Sequence, residues 1–306
     1  MKSTKKRFFD KKLLFYCCIL ALPILQYCVF YIYVNINSFI LAFTEFDPLT
    51  GESTFAKFDN FKYVWNLFFH SEESRAFGIW LRNSLVDYGA KLLVGTGGAV
   101  LFAYYVYKKQ MGSGFFKIIL FLPSIIPGIA MISIYRYVVE TNIVSLVEQL
   151  TGNRIGTFLG NPETSYNTVL IYVLFMGFGT QVMMYLGAMN KINPSITEAA
   201  KLDGAGFLRE LWSITLPCIY STIVTFFVAG LTGVFTSDMG LYSFFARTAP
   251  GELWTLGYYL LRATESNTTN QSKWPEIATV GMYFTMVVAP ITIFLKTFLD
   301  KKDPMR

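Results

Sequence analysis

The side chains that could make or break bonds are sparse in this chain and poorly spaced for it. The only histidine is His70, so a histidine triad, an HExxH zinc site and most general-base schemes lack their central group. Cys17, Cys18, Cys28 and Cys218 lie in apolar stretches without paired spacing, which provides neither a disulfide framework nor a zinc pattern. No GxxxxGK[ST] phosphate loop occurs. Gly95-Thr96-Gly97-Gly98, with Ala99 and Ala103 after it, sits inside an apolar run, where small residues serve close helix packing rather than phosphate cradling. Asn267-Thr268-Thr269 and Asn270-Gln271-Ser272 match the glycosylation sequon and mark a polar, exposed loop. Catalysis is a poor reading.

Ionisable groups inside apolar runs are the more telling residues, because they are functional candidates by default. Asp87 and Lys91 are four apart and share one helical face, where they can neutralise each other. Arg136 stands between Tyr135 and Tyr137. It either snorkels to an interface or presents a cation flanked by two aromatic rings.

The strongest pattern is the segment 190–217, NKINPSITEAAKLDGAGFLRELWSITLP. Ser195-x-x-Glu198 has the form of a capping box that starts a helix, with Pro194 suited to that start. Ala199, Ala200 and Leu202 continue the helix. Asp203-Gly204 then predicts a turn in which positive φ is cheap. Phe207 to Ser213 resumes a helix, and Pro217 precedes the next apolar run. Lys201 and Arg209 are offset by Glu198, Asp203 and Glu210, a poor match to an anionic lipid surface. This elbow is suited to a protein partner.

The elements that must position these residues are membrane helices. Of 306 residues, 53% are hydrophobic and only 15% charged, against about 25% charged in an ordinary soluble domain. A helix needs roughly 20 apolar residues to cross the hydrocarbon core. Six segments meet that need: about 13–34 (its apolar character persisting to Phe43), 84–107, 116–139, 166–190, 218–236 and 276–299. The first is preceded by six Lys/Arg within residues 1–12, but its apolar run is too long for a cleaved signal and no small-residue cleavage site follows. With the N-terminus inside, the inner segments carry 16 Lys/Arg in 61 residues and the outer ones 8 in 105. The positive-inside rule then places both termini in the cytoplasm. The connections 44–83 and 237–275 are too short for an independent core. The expected architecture is a single all-α membrane domain over 1–306, a bundle of six transmembrane helices with the elbow at 193–217 on its cytoplasmic side.

The elbow resembles the EAA loop of ABC importer permeases, in its residues Glu198-Ala199-Ala200, Asp203-Gly204-Ala205, Ile214 and Leu216-Pro217. The resemblance spreads across nearly the whole chain and falls in the carbohydrate-uptake branch, near the first permease of the maltose and glycerol-phosphate type. Phe43-Thr44-Glu45-Phe46-Asp47, Phe58-Asp59-Asn60-Phe61, Phe121-Leu122-Pro123 with Pro127, Ile134-Tyr135-Arg136-Tyr137 and Thr248-Ala249-Pro250-Gly251 carry it further. The sequence departs from the pattern at Trp212, where Phe is usual, at Tyr220-Ser221, which replaces a frequent proline, and at Asp87 and Lys91, where the family is apolar.

This resemblance implies the type I importer fold in the bacterial plasma membrane, as a multi-pass subunit that is not itself an enzyme. It implies pairing with a second, homologous permease and two cytoplasmic ATPases, which hold ATP and Mg, while this chain binds no cofactor and no metal. An extracellular binding protein delivers a sugar or oligosaccharide. Glu198, Ala199, Ala200, Asp203, Gly204, Ala205 and Pro217 are implied to dock on the ATPase. The substrate path is implied at Gly177 and Thr180, and at Gly230, Val234 and Ser237, with Gln181, Tyr135 and Arg136 beside it. A permease for a non-sugar solute is the alternative within the class. A secondary transporter would need coupling-ion ligands and an inverted repeat, and neither is visible.

Overall fold

The computed structural model describes residues 11–72 and 74–304. In chain order the first elements are α1 (Leu14–Ala42), strands β1 (Thr44–Phe46) and β2 (Ser53–Phe55), α2 (Asp59–Phe69), α3 (Ser74–Tyr107) and α4 (Ser113–Ile125). Then follow α5 (Gly128–Thr151), α6 (Pro162–Met189), α7 (Pro194–Leu202), α8 (Phe207–Cys218) and α9 (Tyr220–Thr236). Short helices α10 (Leu241–Phe245) and α11 (Leu256–Ser266) lead to α12 (Gln271–Asp300). Among the described residues, α1, α3, α5, α6 and α12 are each long and apolar enough to cross a membrane. The pair α8–α9, bent by 68°, makes a sixth if taken as one span.

Several helix boundaries differ from the sequence expectation. The run 116–139 is not one span: α4 stops at Ile125, Ile126 is extended (ψ 136°), and α5 starts after Pro127. Proline pushes its predecessor out of the helical region and cannot donate a backbone hydrogen bond. Helix α3 begins ten residues before position 84, and α1 continues to Ala42. The run 218–236 begins as a helix only at Tyr220, because Ile219 (φ −102°, ψ 9°) breaks the chain direction. A short antiparallel ladder, Thr44 opposite Phe55 and Phe46 opposite Ser53, adds the β structure that composition did not announce.

The chain falls into two compact units. One comprises residues up to Asn66 with Asn267–Tyr283. Here Asn60 donates its amide to the carbonyls of Ala42 and Thr44 (3.1 and 2.7 Å), and Tyr283 donates to Phe61 (2.9 Å). The other unit comprises Leu67–Ser266 and the chain from Phe284 on. It holds two buried clusters, one around Ala103, Tyr104, Val182, Tyr185 and Leu211, the other around Val169, Tyr172, Met239, Leu241 and Phe244. Most small residues of α3 serve this internal packing, whereas Gly97 is exposed. Ala99 and Ala103 are fully buried, and a Cβ on Gly95 would collide with the Gln181 side chain of α6. Helix α4 crosses α6 so closely that a Cβ on Gly179 would lie 1.8 Å from the Leu120 carbonyl oxygen.

Candidate coupling loop and translocation path

The elbow is built by its own backbone. Asn193, not Ser195, caps α7: its extended backbone (ψ 125°) lets its side-chain oxygen accept from the Ser195 amide at 3.1 Å, with Pro194 in the first helical position. The capping-box reading of Ser195 and Glu198 is therefore replaced by an Asn cap, and Glu198 lies exposed in the body of the helix. The C-terminus closes as a Schellman turn. Ala205 donates to the Ala200 carbonyl (2.9 Å) and Gly204 to the Lys201 carbonyl (3.1 Å), with Gly204 at φ +72°. Ala200 is buried, whereas Glu198, Ala199, Asp203 and Gly204 face outward, and Leu202 is 90% exposed. Ala205 is half-buried, as is Pro217, which lies in the last turn of α8 before the bend.

Helix α8 continues the elbow and is pinned from behind. The Lys108 ammonium donates to both Glu210 carboxylate oxygens at 2.5 Å, and Glu210 is only 2% exposed. Tyr104 donates its hydroxyl to the Phe207 carbonyl at 2.9 Å, with the two rings 4.7 Å apart. The second half of the elbow is thus fastened to the C-terminal end of α3, while Leu208 and Trp212 remain exposed on its free side. Neither tie was visible in the sequence, where Lys108 counted only as a basic flank.

Helix α3 also meets the residues expected along the path. Gly230 on α9 sits against the Tyr88 ring, whose hydroxyl donates to the Phe227 carbonyl at 3.2 Å. Val234 is buried and serves packing, so it offers no surface to a solute. Ser237, just past α9, joins the charged pair of α3. Lys91 donates to Asp87 Oδ2 at 2.7 Å and to the Ser237 hydroxyl oxygen at 3.3 Å, and that hydroxyl lies 3.4 Å from Asp87 Oδ2. On α6, Thr180 is exposed, and a Cβ on Gly177 would meet nothing within 4 Å. Gln181, one turn on from Gly177, points into the space that Gly95 leaves.

The Tyr135–Arg136 pair does not form an aromatic clamp. Tyr135 donates to the Thr168 carbonyl at 2.7 Å, and its ring packs against Tyr172 and Phe244. Neighbouring helix positions point in different directions, so Arg136 and Tyr137 are exposed on another side of α5. Arg136 stands alone as a candidate contact.

Above the path, α3 holds the 251–256 loop. Asn83 donates to the carbonyls of Glu252 and Trp254 (2.8 and 3.0 Å), and the Leu256 amide donates to the Ser84 hydroxyl at 3.0 Å. Farther out, hydrogen bonds from Arg247 first, and then from Tyr242, hold the Glu265 carboxyl below the usual carboxylate range.

A set of helices long and apolar enough to cross a membrane defines a multi-pass membrane protein. The chain belongs to the family of binding-protein-dependent transport system inner membrane components, whose model matches residues 95–302. It is a multi-pass membrane protein of a transport system that depends on a binding protein. It is 28% identical over 218 residues to the polygalacturonan/rhamnogalacturonan transport system permease protein YteP of Bacillus subtilis (strain 168), covering 68% of this chain and 66% of YteP. It is 25% identical to protein LplB of the same organism over 296 residues, 93% of this chain and 88% of LplB. It shares its fold with a chain of a bacterial alginate ABC transporter solved with an alginate pentasaccharide-bound periplasmic protein (TM-score 0.72, 21% identity, 93% of both chains covered).

Proposed function

We propose that this chain is the transmembrane subunit of an ATP-driven ABC importer that forms half of the translocation path for a sugar or oligosaccharide. A second, homologous permease supplies the other half, two cytoplasmic ATPase copies hold ATP and Mg, and an extracellular binding protein delivers the solute. Both termini lie in the cytoplasm, and residues 1–306 work as one permease domain. Glu198, Ala199, Asp203 and Gly204 meet the ATPase, and Thr180, Gly177, Gly230, Ser237 and Arg136 line the path. YteP is named as a polygalacturonan/rhamnogalacturonan permease, which supports the sugar.

The observation that carries the coupling role is the two-sided elbow. Its outward face bears Glu198, Leu202, Leu208 and Trp212, while its back is held to α3 through Glu210–Lys108 and Tyr104. A push on the free face is therefore delivered to the helix that also touches Ser237. This is how a nucleotide-driven partner biases a two-state bundle. Purification of the assembled complex tests the reading: one copy of this chain, one different permease and two ATPase copies are expected. A complex of this chain alone that is active in uptake would overturn it.

A further inference from the structure

The Asp87–Lys91 pair is unequal in a way the translocation path makes meaningful. On α3, Leu85, Val86, Leu93, Val94 and Leu101 form an exposed apolar side, while Asn83, Ser84, Asp87, Gly95 and Ala99 are buried. At the helical spacing of three and four residues, Lys91 belongs to the buried stripe and not to the lipid side. The Asp87 side chain is 4% exposed, but that of Lys91 is 32% exposed. Lys91 is therefore the open member of the pair, on the stripe of α3 that faces its neighbours and not the lipid.

Two hydrogen bonds set the level of Lys91 against α6. Tyr166 on α6 donates to the Asn83 carbonyl at 2.7 Å, and Tyr185 donates to the Thr96 hydroxyl at 3.4 Å. Lys91 falls between these ties on α3, as Gly177 and Thr180 do on α6, while Ser237 reaches it from the α9 side. An ammonium has three donors. Two are spent on Asp87 and Ser237, which leaves one for a ligand.

We propose that Lys91 is a specificity-determining residue of the path and receives a carboxylate of an acidic sugar, so that the solute is an oligosaccharide containing uronic acid. This rests on the sugar-import reading above. A lysine inside a membrane helix is costly to keep, and hydroxyl recognition alone is met by uncharged donors such as Thr180. The enclosed carboxylate of Asp87 orients the ammonium, and the end offered to the path is the positive one. Asp238, the next acid along, spends its carboxylate on the Gly240 and Tyr242 amides (3.0 and 3.3 Å). Arg136, the remaining charged residue of the path set, is also positive.

The test uses cells carrying the whole transporter. Uptake is measured for uronate oligosaccharides from pectin, alginate and glucuronoxylan, each beside its carboxyl-reduced, neutral counterpart. The wild type takes up at least one acidic oligosaccharide in preference to its reduced form. Lys91→Met lowers that uptake about tenfold or more, the expected effect of losing a hydrogen bond between charged groups, while Lys91→Arg restores most of it. Because Lys91→Met leaves Asp87 buried and unpaired, the double variant Asp87→Asn/Lys91→Met is measured with it, and membrane abundance is scored for each. Import of neutral forms alone, or Lys91 variants that reduce acidic and neutral uptake equally at normal abundance, would overturn the proposal. Failure to import any oligosaccharide, acidic or neutral, would instead overturn the sugar reading.

Discussion

Glu198 and Glu210 occupy one short segment and have opposite surroundings. Glu198 is exposed, and with the helix capped by Asn193 it is free to meet a partner. Glu210 is buried against Lys108, and removing one member of a buried ion pair costs about 3–5 kcal/mol because the other is left uncompensated. Glu210→Ala is therefore expected to lower the membrane abundance and heat tolerance of the complex, with Lys108→Met doing the same; immunoblotting after graded heating reads both. Thr180→Leu is the cleaner probe of the path, since Thr180 is exposed, whereas a change at Ser237 also disturbs Asp87, Lys91 and the Met239 amide. Thr180→Leu should cut uptake and leave assembly intact, as judged by transport rate beside complex yield. The charged pair itself was legible from a four-residue spacing. Its third member was not, because Ser237 is distant in sequence and a lone serine carries no long-range signal.

At the scale of elements, α3 is the part to which three others fasten: the 251–256 loop at one end, Ser237 in the middle and α8 at the other. Close crossings fix its neighbours. Gly179→Val would drive a side chain into the Leu120 carbonyl and is expected to abolish accumulation in the membrane, because backbone cannot yield as a side-chain end does. Gly177→Ala, with open space before it, should accumulate normally; comparing the two by membrane immunoblot separates the crossing from the path. The long apolar runs, the elbow and its glycine turn were legible because hydrophobicity and punctuation are local properties. Pro127 was also visible, yet a continuous apolar run around it masked the break between α4 and α5. The small residues of α3 were read as small, but their partner, α6, is set by packing that no spacing encodes.

For the whole molecule, the proposed importer draws directed transport from what docks on the elbow. There an outward face is joined to α3 by buried bonds. Loss of an interfacial charge pair costs about 2–5 kcal/mol, enough to release or uncouple an ATPase, while the α7 cap stays with Asn193. Gly204 holds φ +72°, a region that a β-branched residue enters only with strain, so valine there redirects α8. The most direct measurement is uptake, membrane abundance and co-purifying ATPase in the same cells for Glu198→Ala and Gly204→Val. Both variants should reach the membrane in near-normal amounts yet lose most uptake, with less ATPase recovered. Normal uptake in both would contradict a coupling role for this elbow.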